Sequence, residues 1–250
     1  GIVSVPLLAV IAYFRKSLFI RIDWRNWRVI LIRAFAELAS TMLFLNALAQ
    51  MPLANVSAIL QSLPLTVTMF AAMFFGEAVG WRRWSAILVG FIGVLIIIRP
   101  GSDGFNEYAV LALIAVGFIT LRDAITRRLD RSVPSLFVAF VSAIPVFLFG
   151  GAMTVTTGWT PVSWSMGIIV TVAAISITCG YLFAVMAMRI GDISFVAPFR
   201  YTGMIWAILF GFLLFGNLPD QMTILGTCIV IGMGVYAFHR ERVRQKASAT

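Results

Sequence analysis

Charge is scarce in this sequence: 12% of its 250 residues are Asp, Glu, Lys or Arg, against about 25% in ordinary soluble domains. With 61% hydrophobic residues and a mean hydropathy of +0.99, the chain has more apolar surface than a soluble core of this length can hide. Ligands for metals are equally short. One histidine, His239, stands at the start of a basic tail, and the two cysteines, Cys179 and Cys228, lie in separate apolar runs. They read as small buried hydrophobes, not a disulfide framework or a metal site. No Gly-rich phosphate or dinucleotide fingerprint occurs, and the Gly90/Gly93 spacing sits inside an apolar run, where packing is the simpler reading. A nucleotide-driven pump, a metalloenzyme and a hydrolase needing a convergent nucleophile and base are all disfavoured.

What is abundant is apolar sequence in long pieces. Stretches at Gly1–Phe14, Arg28–Ala49, Ala54–Phe75, Trp84–Ile98, Tyr108–Thr126, Pro134–Thr154, Trp164–Met188, Ser194–Phe215 and Gln221–Phe238 alternate with short polar links. Most approach the roughly 20 residues that cross about 30 Å of hydrocarbon. Their mixture of Leu, Ile, Val, Phe, Ala, Met and Gly lacks the in-out alternation of a membrane barrel. Helices satisfy every backbone group within one segment, so an all-α polytopic membrane protein is expected. Trp24, Trp27, Trp81, Trp84, Trp159 and Trp164 flank the stretches, as an interfacial aromatic belt does.

Threading these stretches back and forth sorts the basic residues. Sixteen of the 19 Lys and Arg fall on one side, Arg99 alone on the other, and Arg33 and Arg200 inside helices. By the positive-inside rule the Arg-rich links and the C-terminal tail are cytoplasmic. The net charge of +9 therefore reads as membrane orientation and not as a nucleic-acid surface.

The two halves resemble each other. An offset of 140 places Phe74-Phe75-Gly76-Glu77 on Leu214-Phe215-Gly216-Asn217 and Ala47 on Ala187; one residue more sets Ser85 on Gly226 and Gly93-Val94 on Gly234-Val235. The sides are exchanged, because Trp81-Arg82-Arg83-Trp84 follows the first copy and Pro219-Asp220 the second. Repeats of odd helix number in inverted topology produce this pattern. The offset also maps the segment Tyr108–Thr126 to positions before residue 1, and the chain opens with Gly and a 14-residue apolar run. The expectation is a ten-helix parent of which one whole N-terminal helix and part of the next are missing, with about nine helices present here. A signal peptide is disfavoured, since Arg15-Lys16 follow the apolar run and do not precede it.

Ala47-Leu48-Ala49, Pro64-Leu65, Phe75-Gly76-Glu77 and Gly93-Val94-Leu95-Ile96-Ile97 resemble the EamA domain of the drug/metabolite transporter superfamily, and Val196-Ala197-Pro198-Phe199-Arg200-Tyr201 with Phe215-Gly216 and Gly234-Val235-Tyr236 is similar to a second copy. The resemblance implies a ten-helix fold of two inverted five-helix repeats. Residues 1–100 would be the first repeat with helices 2 to 5, 101–239 the second with helices 6 to 10, and 240–250 a basic cytoplasmic tail. It also implies a permease for small organic metabolites or drugs, working by alternating access in a bacterial inner membrane. The solute cavity would lie between the repeats, with no cofactor and with proton or sodium coupling open. Asn217 stands where the first copy has Glu77, which weighs against paired carboxylates at those positions. A solute or ion channel is the alternative; a membrane-embedded enzyme is a weaker one.

Charge inside hydrocarbon costs at least a few kcal/mol and faces the protein interior. Arg33 and Glu37 share a helix face, continued by Ser40 and Thr41. They read either as substrate contacts or as a self-neutralising pair with Arg33 snorkelling to the interface. Arg200 has Val196 and Met204 four residues to either side, so its partner must come from Glu37 or a solute, and it is the leading candidate for solute contact. Tyr201 and Trp206 supply aromatic neighbours. Gln61 stands beside a stripe of Asn55, Ser62 and Thr66, which reads as cavity lining or as inter-helix hydrogen bonds. Gly203, Ala207 and Gly211 form a small-residue packing face. Asp123 and Arg127 read as a surface pair at a helix end.

Overall fold

The computed structural model describes residues 1–18, 20–76, 79–100, 106–130, 132–158, 163–190 and 200–249. Among these the regular structure is helical: α1 (Ser4–Phe14), α2 (Trp24–Gln50), α3 (Leu53–Leu60), α4 (Leu63–Phe75), α5 (Trp81–Ile98), α6 (Glu107–Thr126), α7 (Ser135–Thr157), α8 (Trp164–Ile190), α9 (Thr202–Phe215) and α10 (Gln221–Ala249). Helices α3 and α4 form one apolar stretch, Leu53–Phe75, so nine spans' worth of helix are present among the described residues. Seven stretches are long and apolar enough to cross a bilayer; α1 and α9 are shorter apolar helices. Trp24, Trp81 and Trp164 stand exposed at the first residues of α2, α5 and α8, where indole rings suit the interface.

The interruption between α3 and α4 follows from Pro64. A proline has no N–H to give and its ring crowds the carbonyl four residues earlier, which kinks or breaks a helix; α7 continues through Pro145, whereas here the helix breaks. It restarts with proline in its first turn, where the missing donor costs nothing. The backbone at the break is closed by tight turns, Ser62 N–H to the Ile59 carbonyl and Leu65 N–H to the Ser62 carbonyl. The Ser62 hydroxyl adds a bond to the Ile59 carbonyl. Gln61, Ser62, Leu63, Pro64 and Leu65 are all buried. The break is a local tightening, since Gln61 and Ser62 both keep right-handed helical dihedrals.

Gly76 and Gly216, which the repeat offset aligns, end α4 and α9 in the left-handed conformation (φ 66° and 69°). That geometry satisfies the last carbonyls at little cost only in glycine.

The chain divides into two compact units. The first comprises residues 1–38 and 125–191, hence α1, the start of α2, the end of α6, α7 and α8. Its core joins Leu8, Ala139 and Val185 in one cluster and Ile30, Leu129, Val133, Phe137 and Val138 in another. Trp27 meets Phe137 edge to face at 5.8 Å. Asn26 donates to the Asp130 carboxylate (2.6 Å) and accepts from the Asp130 N–H (3.2 Å), fastening the link after α6 to the first turn of α2.

The second unit comprises residues 39–124 and 192–250. Its backbone is the pairing of α5 with α10. A Cβ on Gly93 would stand 2.8 Å from the Gly226 carbonyl, and one on Gly226 would stand 2.6 Å from the Gly93 carbonyl. A Cβ on Gly90 would collide with Leu65. The glycines are therefore packing elements, as their place in an apolar run suggested. At one end of this seam Arg99, itself left-handed at φ 53°, pairs with Asp220, which also accepts from the Thr223 hydroxyl.

One expectation changes. Cys179 and Cys228 are exposed, not buried; lipid is as apolar as a protein core, so a thiol has no need to turn inward. The basic segment after Phe238 continues α10 to Ala249. The span begun at Ser194 is described only from Arg200, and residues 194–199, with the Val196–Phe199 motif, lie outside the described residues, as do Glu77, Arg131 and Trp159.

Candidate functional site

In the first unit a polar cluster forms around Arg33, which is 2% exposed. Its Nε donates to Thr126 Oγ1 (2.9 Å), and its Nη1 to Ser142 Oγ (2.5 Å) and Tyr181 Oη (2.8 Å). The guanidinium carbon also lies 5.5 Å from the Tyr181 ring centroid. Tyr181 in turn donates to Glu37 Oε2 at 2.8 Å, while the Arg33 to Glu37 approach is 3.8 Å. A phenol has one proton and can accept as well. Its oxygen receives from Arg33 and its hydrogen goes to Glu37, so the two charges are joined through Tyr181. Residues of four helices thus meet at the guanidinium, and the i,i+4 approach to Glu37 is one contact among several.

In the second unit Asp123 is 5% exposed and accepts twice, from Arg122 Nε (3.0 Å) and Arg200 Nη1 (3.0 Å). One earlier reading is thereby corrected. Asp123 is not half of a surface pair with Arg127, because the helix face it occupies is buried. The carboxylate that Arg200 meets is Asp123 of α6, a partner that the sequence reading did not name. Tyr201 follows, 6% exposed, with a buried hydroxyl resting where a side chain on Gly234 would stand. Gln61, at the break between α3 and α4, has its Nε2 4.0 Å from the position of a Cβ on Gly203. Gly203 lies in the first turn of α9, while Arg200 stands before that helix begins, so the structure brings the break between α3 and α4 against the start of α9. It does not bring Trp206, which is 56% exposed on another face and stacks on Phe210 at 6.0 Å.

The stripe beside Gln61 resolves into packing bonds. Thr66 Oγ1 donates to the Leu63 carbonyl and shares a 2.6 Å bond with Thr120 Oγ1. Among the described residues no three of His, Cys, Asp or Glu gather as metal ligands. Sequence reasoning missed Thr126, Ser142, Tyr181 and Thr120. Tyr181 alone left a signal, as a solitary phenol within the long apolar run of α8.

The EamA-like transporter family matches residues 1–99 and 107–237. The chain belongs to that family. Members are integral to membranes, which the seven apolar spans agree with. An S-adenosylmethionine uptake transporter of Rickettsia conorii is 25% identical over 192 residues, covering 76% of this chain and 65% of that protein. A riboflavin transporter of Vibrio cholerae is 28% identical over 230 residues, 90% of this chain and 76% of its own. A pseudopaline exporter of Pseudomonas aeruginosa is 25% identical over 209 residues, 81% and 72% of the two chains. These EamA relatives are named as transporters, not enzymes. The chain thus spans 65% of the length of the Rickettsia protein. A crystallographically solved chain 17% identical superposes with a TM-score of 0.66 over 97% of this chain and 85% of its own, a likeness of fold.

Proposed function

We propose that this chain is the solute-handling part of a secondary transporter for small organic metabolites, resident in a bacterial inner membrane with its C-terminus cytoplasmic. The observation that carries the reading is family membership over almost the whole chain, joined to charged side chains that apolar helices bury against one another. The two matched stretches support division into two EamA repeats near residue 100. Riboflavin and S-adenosylmethionine, moved by the named relatives, are the first solutes to try.

Solute contact is assigned to Gln61, Arg200 and Tyr201 in one unit and to Arg33 and Glu37 in the other. The interruption between α3 and α4 supports this, since it sets a buried polar side chain, Gln61, within an apolar span, and discontinuous helices carry solute sites in secondary transporters. Arg200 can exchange its Asp123 bond for an acidic or carbonyl group of a solute, as a guanidinium's planar donors suit both. Reconstituted vesicles loaded with unlabelled riboflavin or S-adenosylmethionine should take up labelled solute with saturation and counterflow. Arg200→Gln should reduce uptake at least tenfold per amount of folded protein. Non-saturating flux without counterflow would identify a channel.

A further inference from the structure

We propose that the start of α5 and the end of α10 together form a binding site for the phosphate headgroup of an anionic phospholipid. Such a site is independent of which solute the chain moves.

The two basic segments, Trp81-Arg82-Arg83-Trp84 and the stretch from His239 to Lys246, are far apart in sequence. The pairing of α5 with α10 in the second unit brings them to one end. Gly93 abuts Gly226, a Cβ on Gly90 would stand 3.7 Å from Met233 Cβ, and Ala86 and Ala237 are buried in one core. The helices therefore run antiparallel, and one further turn of each sets Arg82 and Arg83 beside Arg240 and Glu241. Six bases stand in the two segments, Arg82, Arg83, Arg240, Arg242, Arg244 and Lys246, against one acid, Glu241. Helices α3 and α4, which pack on the same pair, carry no charged side chain; Glu77, just beyond α4, lies outside the described residues. Like charges crowded at one end of a helix pair repel, and an anion among them relieves the repulsion.

Their level suits a lipid phosphate. The apolar part of α10 ends at Arg240, and the helix runs on to Ala249. At 1.5 Å per residue, positions 240 to 244 rise through about 6 Å, comparable with the roughly 5–8 Å of polar headgroup on each side of the hydrocarbon. Trp81 and Trp84 stand exposed on α5, as indoles at the membrane border do. The Arg82 guanidinium lies 5.4 Å from the Trp81 ring centroid, so an indole face holds its charge at that border. A guanidinium offers two parallel N–H groups to phosphate oxygens, where an ammonium offers a point charge. Basic clusters just beyond a membrane helix gather anionic lipids, each base adding roughly fivefold to association. A zwitterionic lipid brings its own cation and gains much less.

Native mass spectrometry of the full chain in non-ionic detergent, titrated with phosphatidylglycerol or phosphatidylcholine, tests the site. Phosphatidylglycerol should bind at least tenfold more tightly. Arg82→Gln, on an exposed side chain, should weaken that binding about fivefold, and Arg82→Gln with Arg240→Gln should bring it near the phosphatidylcholine level. Arg25→Gln with Arg28→Gln removes the same charge from exposed positions on α2 and should leave the preference within twofold. Equimolar inorganic phosphate should not displace the lipid. A chain that binds both lipids alike would overturn the proposal. Equal losses from the α2 pair and the α5–α10 pair would do so too, since they would mean diffuse attraction without a site. Displacement by inorganic phosphate would reassign the cluster to free anions and overturn the lipid as its ligand.

Discussion

Asp123 and Arg200 compensate each other across 77 residues of sequence; removing Asp123 takes away the carboxylate that Arg200 meets, and removing Arg200 leaves Asp123 with Arg122 alone. Asp123→Asn or Arg200→Gln should each destabilise by about 2 kcal/mol, below the roughly 3–5 of a fully buried pair, because 27% of the Arg200 side chain is exposed. The double variant should recover most of the loss if the pair is structural, read as retention of monodisperse protein on heating in detergent. Additive losses would show that the two residues act independently. The Arg33–Glu37 pair was legible because i,i+4 spacing is local information. The groups that hold Arg33 were not, since Thr126, Ser142 and Tyr181 stand 93, 109 and 148 residues away. Asp123 misled for the same reason: a helix-end acid with Arg127 four residues on looks like a surface pair until another helix covers it.

Helix α5 and helix α10 meet through glycine, and their closeness is a property of the pair. Gly93→Val or Gly226→Val should cost about 1–3 kcal/mol by forcing the backbones apart, with a matching fall in the detergent melting temperature. Gly232→Ala, where nothing lies within 4 Å of an added Cβ, should be neutral and serves as the control. The sequence pointed to this seam, because Gly93 lies in an apolar run with no other use. The break between α3 and α4 was not read, because Pro64 was placed inside one apolar stretch, Ala54–Phe75, and the polar stripe from Asn55 to Thr66 suggested an unbroken helix. Periodicity continues smoothly through an interruption of two residues, whereas the missing N–H of proline is a local fact that periodicity does not record.

For the whole molecule, the sixteen-to-one distribution of basic residues predicts which links face the cytoplasm. Alkaline phosphatase fused after Gly158 should be active and after Arg131 inactive; the reverse pattern would sink the assigned topology. Helix number and membrane class were readable in the sequence because hydropathy acts over 20 residues at a time, while the burial of individual polar groups depends on neighbours that hydropathy does not name. The unbroken course of α10 has a mechanical consequence. Its 29 residues make a rod of about 43 Å, and one end of it projects roughly 13 Å beyond the hydrocarbon. Such a rod is a pointer: pivoting at the bilayer centre, a tilt of about 10° swings its tip by about 5 Å. A spin label at Ser248 would magnify motions too small to see near Gly226, and distances from it to a fixed lipid-surface label would report each tilt of α10 during a transport cycle.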